Sequence, residues 1–194
     1  MVKLKKYSME DLKKSFGAMS ELEQALYIGG GTSYIFDKMG HMTREENPYD
    51  YDLAICGSNQ EFSYQINGEL VVSSYPSPNS PNTMVTDIKG GDLDLFKFLA
   101  DHTGVEWDAT FKRNGEIPSG STPCTIHTIN STDTASGIIE LGVGNDAYVH
   151  SHPNRDSQPS SDDLNDMNSE GYFNQGIYIP GATNISWYYE SYSK

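Results

Sequence analysis

The chain has 194 residues and carries 27 acidic against 13 basic residues, for a formal net charge of −14. A field of that sign repels phosphate backbones, so we expect no nucleic-acid partner. No run approaches the roughly 20 apolar residues that a membrane helix needs, and the basic start lacks the apolar stretch of a secretion signal. We therefore expect a soluble protein with no membrane partner, cytoplasmic or secreted without a recognisable signal peptide.

The first 89 residues are predicted to form an accessory segment of short helices and a β-hairpin. Two serines within residues 8–27 are each followed three positions later by an acidic residue, which is a capping pattern for two short helices. Residues 53–75 alternate in polarity as strands do, and Asn67-Gly68 interrupts them. Because Asn-Gly is typical of two-residue hairpin turns, we predict a hairpin around it.

A proline-rich segment, PSPNSPNT (76–83), favours a break between two parts of the chain. We place the boundary so that residues 1–89 form the accessory segment and residues 90–194 form a second domain. In that domain, residues 92–103 have the apolar pattern of a buried helix that begins at Asp92. The alternation in VEWDATF (105–111) then predicts a strand.

Further strands and one short helix complete the predicted second domain. The helix is expected in DDLNDMNSEG (162–171), where a glycine ends the pattern. The strand candidates are TPCTIHTI (122–129), GIIELGV (137–143), AYVHSH (147–152), and the pair GIYIP and NISWYYES around Pro180-Gly181. This order predicts an α/β or α+β fold, with a mixed sheet flanked by helices.

The stretch HSHPNRDSQPSSDD (150–163) is the strongest candidate for a functional site. Side chains at i and i+2 of a strand share one side, so His150 and His152 could offer two imidazoles to one metal ion. Ser160 can cap the following helix and place Asp163 in its first turn, where the carboxylate reaches back toward the strand end. Two histidines, one carboxylate and a water would make a tetrahedral zinc site with an open position.

Each part of this pattern also has an ordinary structural explanation. An HxH triplet occurs by chance, S-x-x-D is a common capping box, and a proline after a histidine often marks a strand end. The conjunction of these parts at fixed spacing, directly after an apolar strand, favours the metal site over coincidence.

Other chemistries are excluded by the motifs that they require. The glycines of GGGTSYIFDKMG (29–40) lack the lysine of a phosphate-binding loop. A zinc deaminase needs H-x-E with P-C-x-x-C, but Pro123-Cys124 is followed by Thr, Ile and His. Cys56 and Cys124 are far apart and in no CxxC arrangement, so we expect two buried free thiols.

Together, His150, His152, Ser160 and Asp163 resemble the JAMM motif of the JAB1/MPN/Mov34 (MPN+) metalloproteases. The resemblance spans roughly residues 90–194 and extends to the order of helices and strands. It implies that both histidines and the aspartate bind zinc and that the serine assists at the reacting carbonyl. The segment YIFDKMGHMTREE also resembles parts of bacterial polymorphic toxins, some of which end in JAB-like domains.

The resemblance also implies an upstream glutamate as general base, within hydrogen-bonding reach of the water. Glu106 is our choice because it follows the predicted buried helix, in the strand where the family carries this residue. Glu140, ten residues before His150, is the first alternative, and Glu116 is the second.

The function expected from these residues is zinc-dependent hydrolysis of peptide or isopeptide bonds by metal-activated water. The alternatives are a catalytically inactive MPN-fold scaffold and a JAB-like effector or toxin domain. The expected partners are a peptide or protein substrate and, for an effector, an immunity protein.

Overall fold

A computed structural model describes residues 31–57, 59–77, 80–112, 117–132, 146–156, 158–161, 163 and 174–189. The helices predicted within residues 8–27 and the strand predicted at 137–143 lie outside these ranges, as does most of the helix predicted at 162–171. Within the described ranges, no helix is long and apolar enough to span a membrane.

A four-stranded mixed sheet is formed by the first part of the described chain. Its strand order is β2-β1-β3-β4, with β1 parallel to β3 and the other pairs antiparallel. The strands are β1 (Thr32–Phe36), β2 (Met42–Glu46), β3 (Leu53–Cys56) and β4 (Phe62–Gln65).

A larger mixed sheet of seven strands has the order β11-β10-β9-β7-β8-β6-β5. All its neighbours are antiparallel except β9 and β10, which are parallel. The strands are β5 (Val71–Ser77), β6 (Ser80–Asp92), β7 (Asp108–Lys112), β8 (Pro123–Thr128), β9 (Asp146–Ser151), β10 (Asn174–Tyr178) and β11 (Ser186–Tyr189). The predicted hairpin around Pro180-Gly181 is the antiparallel β10–β11 pair.

Helix α1 (Leu93–His102) connects β6 to β7 and confirms the helix predicted after Asp92. The Asp92 carboxylate accepts a hydrogen bond of 2.8 Å from the Leu95 amide, as an N-cap residue does. The apolar face of α1 is buried because Leu95, Phe96 and Leu99 point into the core.

The two sheets and α1 share one hydrophobic core. From the four-stranded sheet, Phe36 meets Trp107 edge to face, with ring centroids 5.8 Å apart. Tyr64 packs against Phe98 of α1 at 5.6 Å between centroids. The predicted fold class is confirmed as mixed α/β. The described residues form two mixed sheets and one complete helix.

The hairpin predicted around Asn67-Gly68 is wrong. Strand β4 pairs with β3 in the small sheet, whereas β5 pairs with β6 in the large sheet. The Asn-Gly dipeptide therefore lies in the connection between the two sheets. Local turn propensity indicated that the chain bends here, but the choice of partner strand depends on residues far away in sequence.

Strand residues occupy most of the predicted proline-rich break, because β5 extends to Ser77 and β6 begins at Ser80. Strand β6 also continues through the boundary placed between residues 89 and 90. The division into 1–89 and 90–194 stays a prediction.

The central strands of the seven-stranded sheet, β7, β8 and β9, have one apolar face and one polar face. Ala109, Ile126 and Val149 are paired across β8, β7 and β9, and all three are completely buried on the side of the core. Since neighbouring positions in a strand alternate, the residues between them project to the opposite face. That opposite face carries His150 and forms the floor of the candidate site.

Candidate metal centre

The end of β9 places His150 and His152 on the same side, as the alternation predicts. His150 is 1% exposed and His152 is 9% exposed. Their Nε2 atoms lie 2.9 Å apart. Two buried imidazole nitrogens that converge at this distance could form one half of a metal site.

Ser151, between the two histidines, joins β9 to the chain that precedes β7. The Trp107 amide donates to Ser151 Oγ at 2.9 Å, and the Ser151 amide donates to the Trp107 carbonyl at 2.8 Å. Beside them, the Glu106 amide donates to the Ser131 carbonyl and its carbonyl accepts from Thr128 Oγ1. These bonds fix the backbone of Glu106 next to the histidines.

Glu106, His150 and His152 form a cluster in which one donor atom from each lies within 4.8 Å of the others. The Glu106 side chain is buried, with 7% of the residue exposed, so it is not an ordinary solvated strand glutamate. The alternatives Glu116 and Glu140 lie outside the described residues.

Asp163 reaches the same two histidines from the other side. Its Oδ1 lies 3.3 Å from His150 Nε2, and its Oδ2 lies 3.7 Å from His152 Nε2. Ser160 and Asp163 form a reciprocal cap: the Ser160 amide donates to Asp163 Oδ2 at 2.6 Å, and the Asp163 amide donates to Ser160 Oγ at 3.1 Å. The cap orients the carboxylate toward the strand end.

The spacing of these donor atoms fits a small tetrahedral ion. A zinc ion with ligands at about 2.0–2.1 Å requires ligand atoms about 3.3 Å apart. His150 Nε2 lies 2.9 Å from His152 Nε2 and 3.3 Å from Asp163 Oδ1. The 3.7 Å distance to His152 Nε2 is measured from the other carboxylate oxygen, Asp163 Oδ2. Imidazole nitrogen and carboxylate oxygen are donors that zinc takes, and the set leaves one position of a tetrahedron open.

The loop after β9 holds His152 in one orientation. The His152 carbonyl accepts from the Arg155 amide at 2.9 Å, which closes a turn over Pro153, and Arg155 takes a positive φ of 65°. The His152 ring then lies with Nδ1 2.7 Å from the Asp156 carbonyl. Since a carbonyl can only accept, the proton of His152 is on Nδ1 and the lone pair of Nε2 faces the cluster.

The pKa values in the cluster favour metal ligation. Burial lowers the pKa of His152, and the neighbouring His150 lowers it further, so the neutral ring is favoured. Burial alone would raise the pKa of Asp163, but the hydrogen bond with His150 and those with Ser160 lower it to about 2. A neutral histidine and an ionised carboxylate are the forms that bind metal ions.

The sequence did not predict a buried pair of ionisable side chains, Asp108 and His127, beside the cluster. Asp108 Oδ2 lies 3.1 Å from His127 Nδ1, and Asp108 is completely buried. Burial raises the pKa of Asp108 to about 6, although His127 lowers it in part. The alternation predicted for residues 105–111 puts Asp108 on the same face as Glu106, which was a usable signal, although β7 itself begins only at Asp108. The alignment with His127 depends on the β7–β8 register, which cannot be derived from the sequence.

A comparison with known protein families gives a match that includes the residues of the cluster. Residues 86–171 match the family described as JAB-like toxin 1. No curated protein and no solved structure matches the chain. The matched range is less than half of the chain, and it contains Glu106, both histidines of the cluster, Ser160 and Asp163. The match confirms the resemblance to JAB-like proteins and supports a JAB-like toxin domain at residues 86–171.

Proposed function

We propose that this protein is a zinc-dependent hydrolase of peptide or isopeptide bonds, acting as the JAB-like toxin domain of an effector. The observation that carries the proposal is the convergence of His150 Nε2, His152 Nε2 and the Asp163 carboxylate at 2.9–3.7 Å. The donor cluster that Glu106 forms with both histidines adds a buried carboxylate. A hydrolase needs both a metal site with an open position and a nearby base.

Each side chain of the site would have a role that its chemistry permits. His150, His152 and Asp163 would hold zinc, which supplies a Lewis acid and activates water for attack. The Glu106 carboxylate accepts the proton of the attacking water and then passes it to the leaving amine. The Ser160 hydroxyl accepts from the Asp163 amide, and its proton would be donated to the carbonyl oxygen as negative charge develops.

The family match and the net charge of the chain support a protein or peptide substrate. A toxin domain of the JAB-like kind implies a protein or peptide target in the attacked cell and an immunity partner in the producing cell. The net charge of −14 favours targets with Lys or Arg near the reacting bond, and an isopeptide bond is itself formed on a lysine.

The test of the metal centre is zinc content per chain by elemental mass spectrometry. We expect about one zinc in the wild type and none in His152→Ala, since the variant loses one of three ligands. His41→Ala is the control, because the His41 side chain is exposed and pairs with Asp37. Wild-type protein that takes up no zinc, even when zinc is supplied, would contradict the hydrolase and favour the scaffold alternative.

The test of the base separates metal binding from catalysis. We expect Glu106→Gln to keep its zinc and to lose 10²- to 10⁴-fold in turnover of peptide and isopeptide substrates, the usual contribution of a general base. Glu69→Gln, which changes an exposed glutamate, should retain full turnover. Full activity of Glu106→Gln would remove Glu106 from the mechanism and make Glu140 the next candidate.

A further inference from the structure

A row of four ionisable side chains crosses the polar face of the seven-stranded sheet. His150 of β9 lies opposite Asp108 of β7, and Asp108 lies opposite His127 of β8. His127 in turn lies opposite Asp87 of β6. Directly opposite residues of antiparallel strands project on the same face, so the side chains of the row are neighbours.

Close contacts between side chains connect the row from Asp87, at its outer end, through His127 to Asp108. His127 Nε2 lies 3.7 Å from Asp87 Oδ1, and His127 Nδ1 lies 3.1 Å from Asp108 Oδ2. At the inner end, two buried atoms have no hydrogen-bond partner: Asp108 Oδ1 and His150 Nδ1. An unpaired acceptor and an unpaired ring nitrogen therefore belong to residues that lie opposite each other.

The tautomer of His150 requires an acceptor at this position. His150 Nε2 faces His152 and Asp163, so a metal ion bound there would take the Nε2 lone pair and leave the proton on Nδ1. A buried N–H without an acceptor is unfavourable. His152 already has its acceptor, the Asp156 carbonyl. His150 lacks one, although it is the more deeply buried of the two.

We propose that Asp108 is the positioning residue of His150, and that His127 holds Asp108 in place. In the zinc-bound protein, Asp108 Oδ1 accepts the Nδ1 proton of His150, while His127 engages Oδ2. This inference rests on the proposed function, because it concerns a metal bound to His150. A carboxylate behind a ligating histidine fixes its ring orientation and increases its basicity, and loss of such a partner typically costs 10- to 100-fold in metal affinity.

The affinity test uses zinc itself, in competition with a chelator of known affinity. We expect Asp108→Ala to bind zinc 10- to 100-fold more weakly than the wild type, and Asp108→Asn, which keeps an acceptor without the charge, to lie between them. Thr110→Val is the matched control, because Thr110 lies two residues along β7 and also has a buried, unpartnered oxygen. Its zinc affinity should equal that of the wild type.

A spectroscopic readout tests the hydrogen bond without activity. In long-range ¹H–¹⁵N spectra of zinc-loaded wild type, the His150 Nδ1 proton should be visible and shifted downfield, as a proton bonded to a carboxylate is. In Asp108→Asn the downfield shift should decrease. The wild-type spectrum remains decisive if Asp108→Ala does not fold, since a missing downfield proton on His150 would overturn the proposal.

The outcomes separate the two proposals. If the wild type binds zinc and folded Asp108 variants bind it equally well, Asp108 has no positioning role and the hydrolase proposal stands. If the wild type binds no zinc, the hydrolase proposal and the role of Asp108 are both overturned.

Discussion

His152 is the residue whose protonation should govern metal binding in acid. Its amide donates to the Tyr178 carbonyl at 2.9 Å, and its ring bonds to the Asp156 carbonyl, so its position is fixed by backbone on both sides. Because burial and the neighbouring His150 lower the pKa of His152, protons compete with zinc only below the unperturbed histidine value of about 6.5.

We therefore expect zinc to remain bound at pH 6.5 and to be released as the pH falls further. The stability of the metal-free protein should also decrease as the pH falls. The stability contributed by neutral His152 is fully present above about pH 6.5 and is lost as the pH falls through the lowered folded-state pKa, because the unfolded chain binds more protons there. Zinc release into a fluorescent indicator, measured against pH, checks the first statement. Release that is already complete at pH 6.5 would contradict it.

Among the elements, β7 and β9 define the site, because they bring distant parts of the chain together. Ser151 exchanges two hydrogen bonds with Trp107, one through its hydroxyl and one through its amide, and these align the start of β7 with the end of β9. Glu106 and His150 thereby become neighbours although 44 residues separate the bonded pair.

Ser151→Ala tests this alignment. The substitution removes the acceptor of the buried Trp107 amide, and an unsatisfied buried donor costs about 1–3 kcal/mol. We expect the free energy of unfolding to fall by that amount and turnover to fall with it, because Glu106 loses its fixed position. Ser63→Ala, at an exposed serine of β4, should change stability by less than about 0.5 kcal/mol. Denaturant unfolding and turnover of both variants measure the difference, and unchanged turnover in Ser151→Ala would show that the alignment does not depend on this hydroxyl.

Several elements were predictable because their signals are local. Asp92 and the apolar spacing after it predicted α1, and alternation predicted β8 and β9 within a residue or two. The pairing of β4 with β3 and of β5 with β6 was not predictable, because a strand's partner is selected by packing with residues far along the chain.

At the scale of the whole molecule, the four-stranded sheet contributes to the same core as the region that matches the family. Phe36 is 1% exposed and contacts Trp107, the neighbour of Glu106. We expect Phe36→Ala to lower the free energy of unfolding by about 3–5 kcal/mol, the usual cost of such a cavity. One cooperative unfolding transition should include the proposed zinc site.

Thermal unfolding with and without zinc measures this coupling, because zinc bound to the folded state should shift the whole transition. Val71→Ala, at a position that is 61% exposed, is the control and should unfold like the wild type. Two separate transitions, with the zinc-dependent one unaffected by Phe36→Ala, would instead support an independent accessory segment at residues 1–89.

The sequence by itself determined the identities and local spacing of the site: two histidines on one side of a strand, and a serine and an aspartate in one capping box. These depend on the period of a strand and the first turn of a helix, which are properties of adjacent residues. Only the tertiary structure decided that Glu106 lies at the histidines, and that Asp108 and His127 lie behind His150. Strand register across a sheet sets those positions, and it depends on the packing of the complete core.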